Sequence, residues 1–180
     1  MPGRKIMKKI CLLGDGAVGK TTLIKKFVYD KFDDKYIMTF GTKVTKKSVC
    51  LKSGGTDFDL TMMIWDILGQ RVHDALHATY YQGAAGALLV CDVTRKETLA
   101  GLEEWARVFR DVCPETPIIF LGNKSDLKEQ IQVSEADLAA LAAKYDTIHY
   151  MTSAKTGDHV EDSFLRLGTT IVECMVRREV

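Results

Sequence analysis

Proline is scarce in this 180-residue chain, at three residues, and the 14 glycines fall in no repeat. Fibrous, low-complexity and linker-rich architectures are therefore excluded. Charge of one sign is equally scarce. With 25 basic against 24 acidic side chains the net charge is +1, which builds no field for a general nucleic-acid or acidic-polymer binder. Long apolar runs are also missing, since stretches such as 87–91 and 117–121 fall far short of the roughly 20 residues that a bilayer-crossing helix needs. Arg4, Lys5, Lys8 and Lys9 ahead of Ile10 to Leu13 imitate the start of a secretory signal, but Asp15 and Gly16 end the apolar run too early. The basic residues read as the solvated entry of a strand. Cysteine occurs five times, an odd number, with Cys11, Cys50 and Cys91 inside apolar stretches. They read as small buried hydrophobes in a reducing compartment, without disulfides. What remains, 46% apolar and 27% charged, is one globular domain over residues 1–180.

Along the chain, apolar runs of strand length alternate with stretches of helical period. Lys9 to Leu13 reads as a strand, Gly14 to Gly19 as a glycine-rich loop, and Thr22 to Tyr29, with Leu23 and Phe27 four apart, as a helix. Val44 to Leu51 and Phe58 to Trp65 flank Ser53-Gly54-Gly55, a hairpin turn that pairs them antiparallel. Ala87 to Cys91 and Ile118 to Leu121 are continuous apolar runs, as expected of strands buried on both faces of a parallel sheet. Thr94 with Glu97 and Ser134 with Asp137 have capping-box spacing and open helices striped by Leu99, Leu102, Trp105 and Phe109, then by Leu138, Leu141 and Tyr145. A last helix carries Val160, Phe164, Leu167, Ile171 and Met175. The alternation predicts a three-layer α/β domain, with ligands beyond the carboxyl ends of the strands.

Gly14-Asp15-Gly16-Ala17-Val18-Gly19-Lys20-Thr21 fills G-x-x-x-x-G-K-[ST] between a strand and a helix. In such a loop consecutive backbone N–H groups turn inward as an anion nest, the helix N-terminus adds positive potential, the lysine reaches β/γ oxygens and the Thr hydroxyl ligates Mg²⁺. The loop alone does not choose between ATP and GTP. Asn123-Lys124-Ser125-Asp126 and Ser153-Ala154-Lys155 each follow a strand. A carboxylate at that edge can accept from both N1–H and the 2-amino group of guanine, a pair of donors that adenine lacks.

With these motifs in order, the chain resembles the Ras-superfamily small GTPases from Lys9 to about Arg177, and Phe40-Gly41 and Trp65 are more similar to the Rab branch. The resemblance implies nucleotide contacts from Asp15, Gly16, Ala17, Val18, Gly19, Lys20, Thr21 and Thr22 around the phosphates. It further implies that Phe32 covers the guanine, that Asn123 and Asp126 hold the base with Lys124 along it, and that Ser153, Ala154 and Lys155 close the base pocket. Thr21, Thr39 and Asp66 would hold Mg²⁺, Thr39 only with the triphosphate, and the Gly69 amide would touch the γ-phosphate. Gln70 would orient the attacking water, with Lys20 and Thr39 completing the catalytic set. The fold that the resemblance implies is a three-layer α/β phosphate-loop NTPase domain with a six-stranded sheet, mostly parallel with one antiparallel strand, and about five helices. GTP and GDP would be substrate and product. Effectors, an exchange factor and an activating protein would meet the switch regions. A monomer is expected, with no nucleic-acid partner, in the cytoplasm, reaching membranes through partners.

Two departures stand out. Ile67-Leu68 replaces the family's Thr-Ala ahead of Gly69, where Leu68 is expected either to restrict the second switch and slow hydrolysis or to pack beneath it, and Arg71 replaces the Glu after Gln70. Cys174 to Val180 carries neither a C-a-a-X box nor a double cysteine, and Pro2 stands where myristoylation needs Gly. No lipid anchor is readable; a chain complete at this end is expected to be of an archaeal or bacterial Ras-like kind, the alternative being a chain truncated there. No arginine is evidently placed to act in cis, so slow turnover or an activating partner is expected. His73 and His77 imitate a zinc-protease helix, but Asp74 is short for the base and a third ligand is not evident. Two rivals remain: an ATP-dependent kinase or ATPase on the same loop, which Asp126 argues against, and a scaffold that holds nucleotide without hydrolysing it.

Overall fold

The computed structural model describes residues 3–33, 41–69 and 75–179, with the side chains of 75–77 left aside. The first strand, β1 (Arg4–Leu13), begins earlier than the apolar run, because its basic half pairs with β3 along the solvated end of the sheet. Helix α1 (Lys20–Tyr29) follows the glycine-rich loop. β2 (Thr42–Ser53) and β3 (Thr56–Ile67) form the expected antiparallel hairpin. Its turn places both Gly54 and Gly55 at positive φ, the geometry of a tight two-residue hairpin. Then come α2 (Ala75–Tyr81), β4 (Ala84–Asp92), α3 (Lys96–Val112), β5 (Ile118–Asn123), a 3₁₀ turn, α4 (Glu135–Lys144), β6 (His149–Met151) and α5 (Val160–Glu179).

The six strands lie in the order β2-β3-β1-β4-β5-β6, and every neighbouring pair except β2 with β3 is parallel. One face of the sheet packs Ile10, Leu12, Leu60, Ile64, Leu88 and Val90 against Leu23 and Phe27 of α1 and Phe164, Leu167 and Ile171 of α5. Phe27 and Phe164 stack with ring centroids 4.2 Å apart. The other face packs Cys11, Leu13, Leu89, Cys91 and Phe120 against Leu102, Trp105 and Phe109 of α3 and Leu138 and Leu141 of α4. These are the stripes read from the sequence. No helix among the described residues is long and apolar enough to cross a membrane.

Two expectations are corrected. Cys50 is exposed, because it lies on the open face of the edge strand β2, with its thiol 3.3 Å from the Asp59 carboxylate. Thr94 does not cap α3. Its amide and hydroxyl both donate to Asp92 Oδ1 (2.9 and 2.6 Å), and the helix begins one residue later behind Arg95, which makes no side-chain cap. Ser134 and Asp137, in contrast, form the complete capping box of α4.

Candidate nucleotide-binding site

The carboxyl ends of β1, β3, β4, β5 and β6 bring the motif residues to one edge of the sheet. Between β1 and α1 the loop is fixed from outside. Arg95 Nη2 donates to the Gly16 carbonyl (2.8 Å), Lys124 Nζ to that of Ala17 (2.9 Å), and Asn123 Nδ2 to that of Val18 (3.0 Å). Because a trans peptide points its C=O and N–H in opposite directions, three carbonyls held outward turn the amides of Ala17, Val18 and Gly19 into the hollow. Gly19 stands at φ 103, and a Cβ there would lie 2.2 Å from Asn123 Nδ2, so any other residue would displace the asparagine from the loop. Gly19, the N-cap of α1, has no side chain with which to cap the helix, whose positive end faces this loop.

Lys20 folds back across this loop to donate to the Gly14 and Asp15 carbonyls at 2.7 and 2.9 Å. It is only 7% exposed. Burial pushes its ammonium down to about 8, against the opposing attraction of Asp66 and Asp15, so an anionic ligand here stabilises a charge that burial alone disfavours. Thr21 Oγ1 donates to Asp66 Oδ2 at 2.5 Å. A hydroxyl and a carboxylate meeting at the mouth of the loop are oxygen donors of the sort Mg²⁺ takes together with phosphate, so the residues present fit that ion.

Gly69 reaches the loop from the other side. A Cβ on it would lie 2.6 Å from the Asp15 carbonyl carbon, Gly16 N and Lys20 Nζ. Leu68 before it is partly buried, and Ile67 is a core residue, 1% exposed, paired with Thr42 of β2.

The base-side residues are wired together. The Thr152 hydroxyl donates to Asn123 Oδ1 (3.2 Å) and the Ser153 hydroxyl to Asp126 Oδ1 (2.7 Å), while the Ser125 amide donates to the Thr152 carbonyl. Ala154 is buried beside them, Lys155 is exposed, and Phe32 stands 38% exposed beyond the end of α1. Thr22 continues the first turn of α1. Thr39, Phe40, Gln70, Arg71, His73 and Asp74 lie outside the described residues.

Three participants had no sequence signal. Arg95 donates to the Gly16 carbonyl. Trp105 Nε1 donates to Asp15 Oδ1 at 2.8 Å, drawing that carboxylate toward α3. Asp92, at the end of β4, ties Lys124 (2.6 Å) and Arg95 (3.2 Å) together. Burial pushes the Asp92 carboxyl up, but hydrogen bonds from Lys124 and Thr94 outweigh it and hold the group below its ordinary range.

Trp105→Phe should lower GDP affinity by roughly tenfold, since the lost donor is worth ~1 to 2 kcal/mol and lets the Asp15 carboxylate turn toward the phosphates. Asp15→Ala in the same background should recover it. Titration of both variants decides, and an unchanged affinity in the first would remove Trp105 from the site.

The fold and this edge define a phosphate-loop nucleotide-binding α/β domain. Comparison with known proteins narrows the class: the Ras family model matches residues 9–173, and the chain belongs to that family. It is 36% identical over 166 residues to the GTP-binding protein ypt4 of Schizosaccharomyces pombe, covering 91% of this chain and 71% of that one. It is 36% identical to human Ras-related protein Rab-21 over 95% of this chain and 75% of that protein, and 35% identical to mouse Rab-22A over 91% and 82%. The protein is a Rab-like small GTPase, a switch that binds GTP and GDP and hydrolyses GTP. The ATP-dependent alternative falls with that membership. Regulators and effectors, in general, belong to the same family character.

Proposed function

We propose that a single domain over residues 1–180 holds the guanine nucleotide along this sheet edge, phosphates in the hollow of 14–21 and base against Asn123, Lys124, Asp126 and the 153–155 turn. The observation that carries the reading is the outward anchoring of three successive carbonyls, two of them by the base-side residues Asn123 and Lys124, which joins phosphate and base recognition in one network. Asp126, positioned by Ser153, accepts the N1–H and 2-amino donors of guanine. Phe32 covers the base. Thr21 and Asp66, with Thr39 in the triphosphate state, hold Mg²⁺, which when bound neutralises charge on the phosphates. Lys20 places its ammonium on the terminal phosphate oxygens, the Gly69 amide adds a donor, and Gln70 orients water for in-line attack that yields GDP and inorganic phosphate. The protein acts as a cytoplasmic monomer whose switch regions meet effectors, an exchange factor and an activating protein.

Gln70→Leu tests the catalytic assignment. Single-turnover GTP hydrolysis should fall by about tenfold or more while GDP affinity stays within about twofold of the wild type, because the lost amide orients water and not nucleotide. Hydrolysis at the wild-type rate would take Gln70 out of the mechanism.

A further inference from the structure

The residue at the start of α3 is wrong for its own helix. An N-cap is normally Ser, Thr, Asp or Asn, whose oxygen satisfies a helix amide, and a cation there opposes the helix dipole. Position 95 holds an arginine in extended conformation (φ −134) that makes no side-chain cap. Its guanidinium is spent elsewhere: Nη2 donates to the Gly16 carbonyl at 2.8 Å and Nε to Asp92 Oδ2 at 3.2 Å. The side chain is 36% exposed, so burial of its stem does not explain it either.

The partner that aims Arg95 is itself fixed. The Asp92 side chain is 2% exposed, its Oδ1 accepts from the Thr94 amide and hydroxyl, and its Oδ2 accepts from Arg95 and from Lys124 at 2.6 Å. Lys124 in turn holds the Ala17 carbonyl. One buried carboxylate therefore sets two cations side by side on two successive carbonyls of the phosphate loop.

We propose that Arg95 is a positioning residue for the nucleotide phosphates: by holding the Gly16 carbonyl outward it turns the Ala17 amide into the anion hollow, and Asp92 couples this hold to the one Lys124 exerts on the next peptide. The inference rests on the guanine-nucleotide reading of the site. Its physical content is that α3 contributes to phosphate affinity without touching the nucleotide. Removal of the guanidinium frees the Gly16 peptide to rotate, and an amide that is not held toward the phosphate contributes less to binding because its orientation must be fixed when the ligand arrives.

The test uses the purified chain loaded with GDP and Mg²⁺, with release followed after addition of excess unlabelled GDP. Arg95→Met keeps the apolar stem and removes every donor; release should quicken by roughly tenfold, the lower end for a charge-assisted hydrogen bond at a partly exposed rim. Arg95→Lys keeps the positive charge but loses the planar fork that places separate nitrogens on Gly16 and Asp92, and should fall between the two, at about threefold. This graded recovery is what a role in merely stabilising α3 would not produce. Release from Arg95→Met at the wild-type rate, or equally fast release from both variants, overturns the proposal while leaving the nucleotide reading intact. A wild-type chain that fails to retain GDP overturns the reading beneath it, and the proposal with it.

Discussion

Lys20→Met should lower GDP affinity by on the order of a thousandfold, the largest loss expected at any single position. The side chain is buried, bonded to two carbonyls of its own loop, and surrounded by amides turned toward the same hollow. Removing one partner of a buried charged pair costs about 3 to 5 kcal/mol, because the phosphate left behind keeps its desolvation penalty and loses its countercharge. Methionine preserves much of the length and apolar stem, so the loss reports the ammonium and not a cavity. Calorimetric titration checks it, and an affinity within tenfold of the wild type would mean that the phosphates do not reach Lys20.

Asp126→Asn is the second. Two charge-assisted hydrogen bonds to guanine, at roughly 1.5 to 3 kcal/mol each, become one weaker acceptor and a mismatched donor, so GDP should bind about a hundredfold or more weaker. The exchange has a second sign. Xanthosine diphosphate carries a carbonyl where guanine carries its 2-amino group, and an amide NH₂ can donate to it, so that nucleotide should bind more tightly to the variant than to the wild type. The Ser153 hydroxyl, 2.7 Å from Asp126 Oδ1, can hold an amide oxygen in the same orientation. Loss of GDP without gain of xanthosine diphosphate would place Asp126 in a structural role at the turn and not on the base.

Legibility in the sequence followed the range of each interaction. Gly14 to Thr21 could be read because a loop that presents successive amides needs glycine at fixed spacing within eight residues, and the flanking strand and helix are adjacent in the chain. The parallel core strands were visible as unbroken apolar runs, though their ends were not. β1 starts at Arg4 and not Lys9, since a strand paired beyond the core can be as basic as the solvent allows. Asn123 turned out to end β5, and its amide reaches Val18, 105 positions earlier. Contacts of that separation leave no local pattern. Arg95 to Gly16, and Trp105 to Asp15, are of the same kind, and each side chain had a sufficient local reading as a helix residue. Thr94 misled for a related reason: capping-box spacing with Glu97 was present, but the buried Asp92 two residues back competes for its hydroxyl and wins at 2.6 Å. Cys50 followed the apolar tendency of its neighbours on an edge strand where only alternate residues are covered.

Guanine recognition by one connected network of phosphate loop, Asp92, Asn123, Lys124 and Asp126 is the central claim. Competition of unlabelled GTP and ATP against labelled GDP, on the purified chain with Mg²⁺, tests it most directly. The expected result is displacement by GTP at near-stoichiometric concentration and none by ATP at a thousandfold excess, roughly the 4 kcal/mol that a polar site withholds from an analogue lacking the matched donors. Equal displacement by the two nucleotides would contradict it.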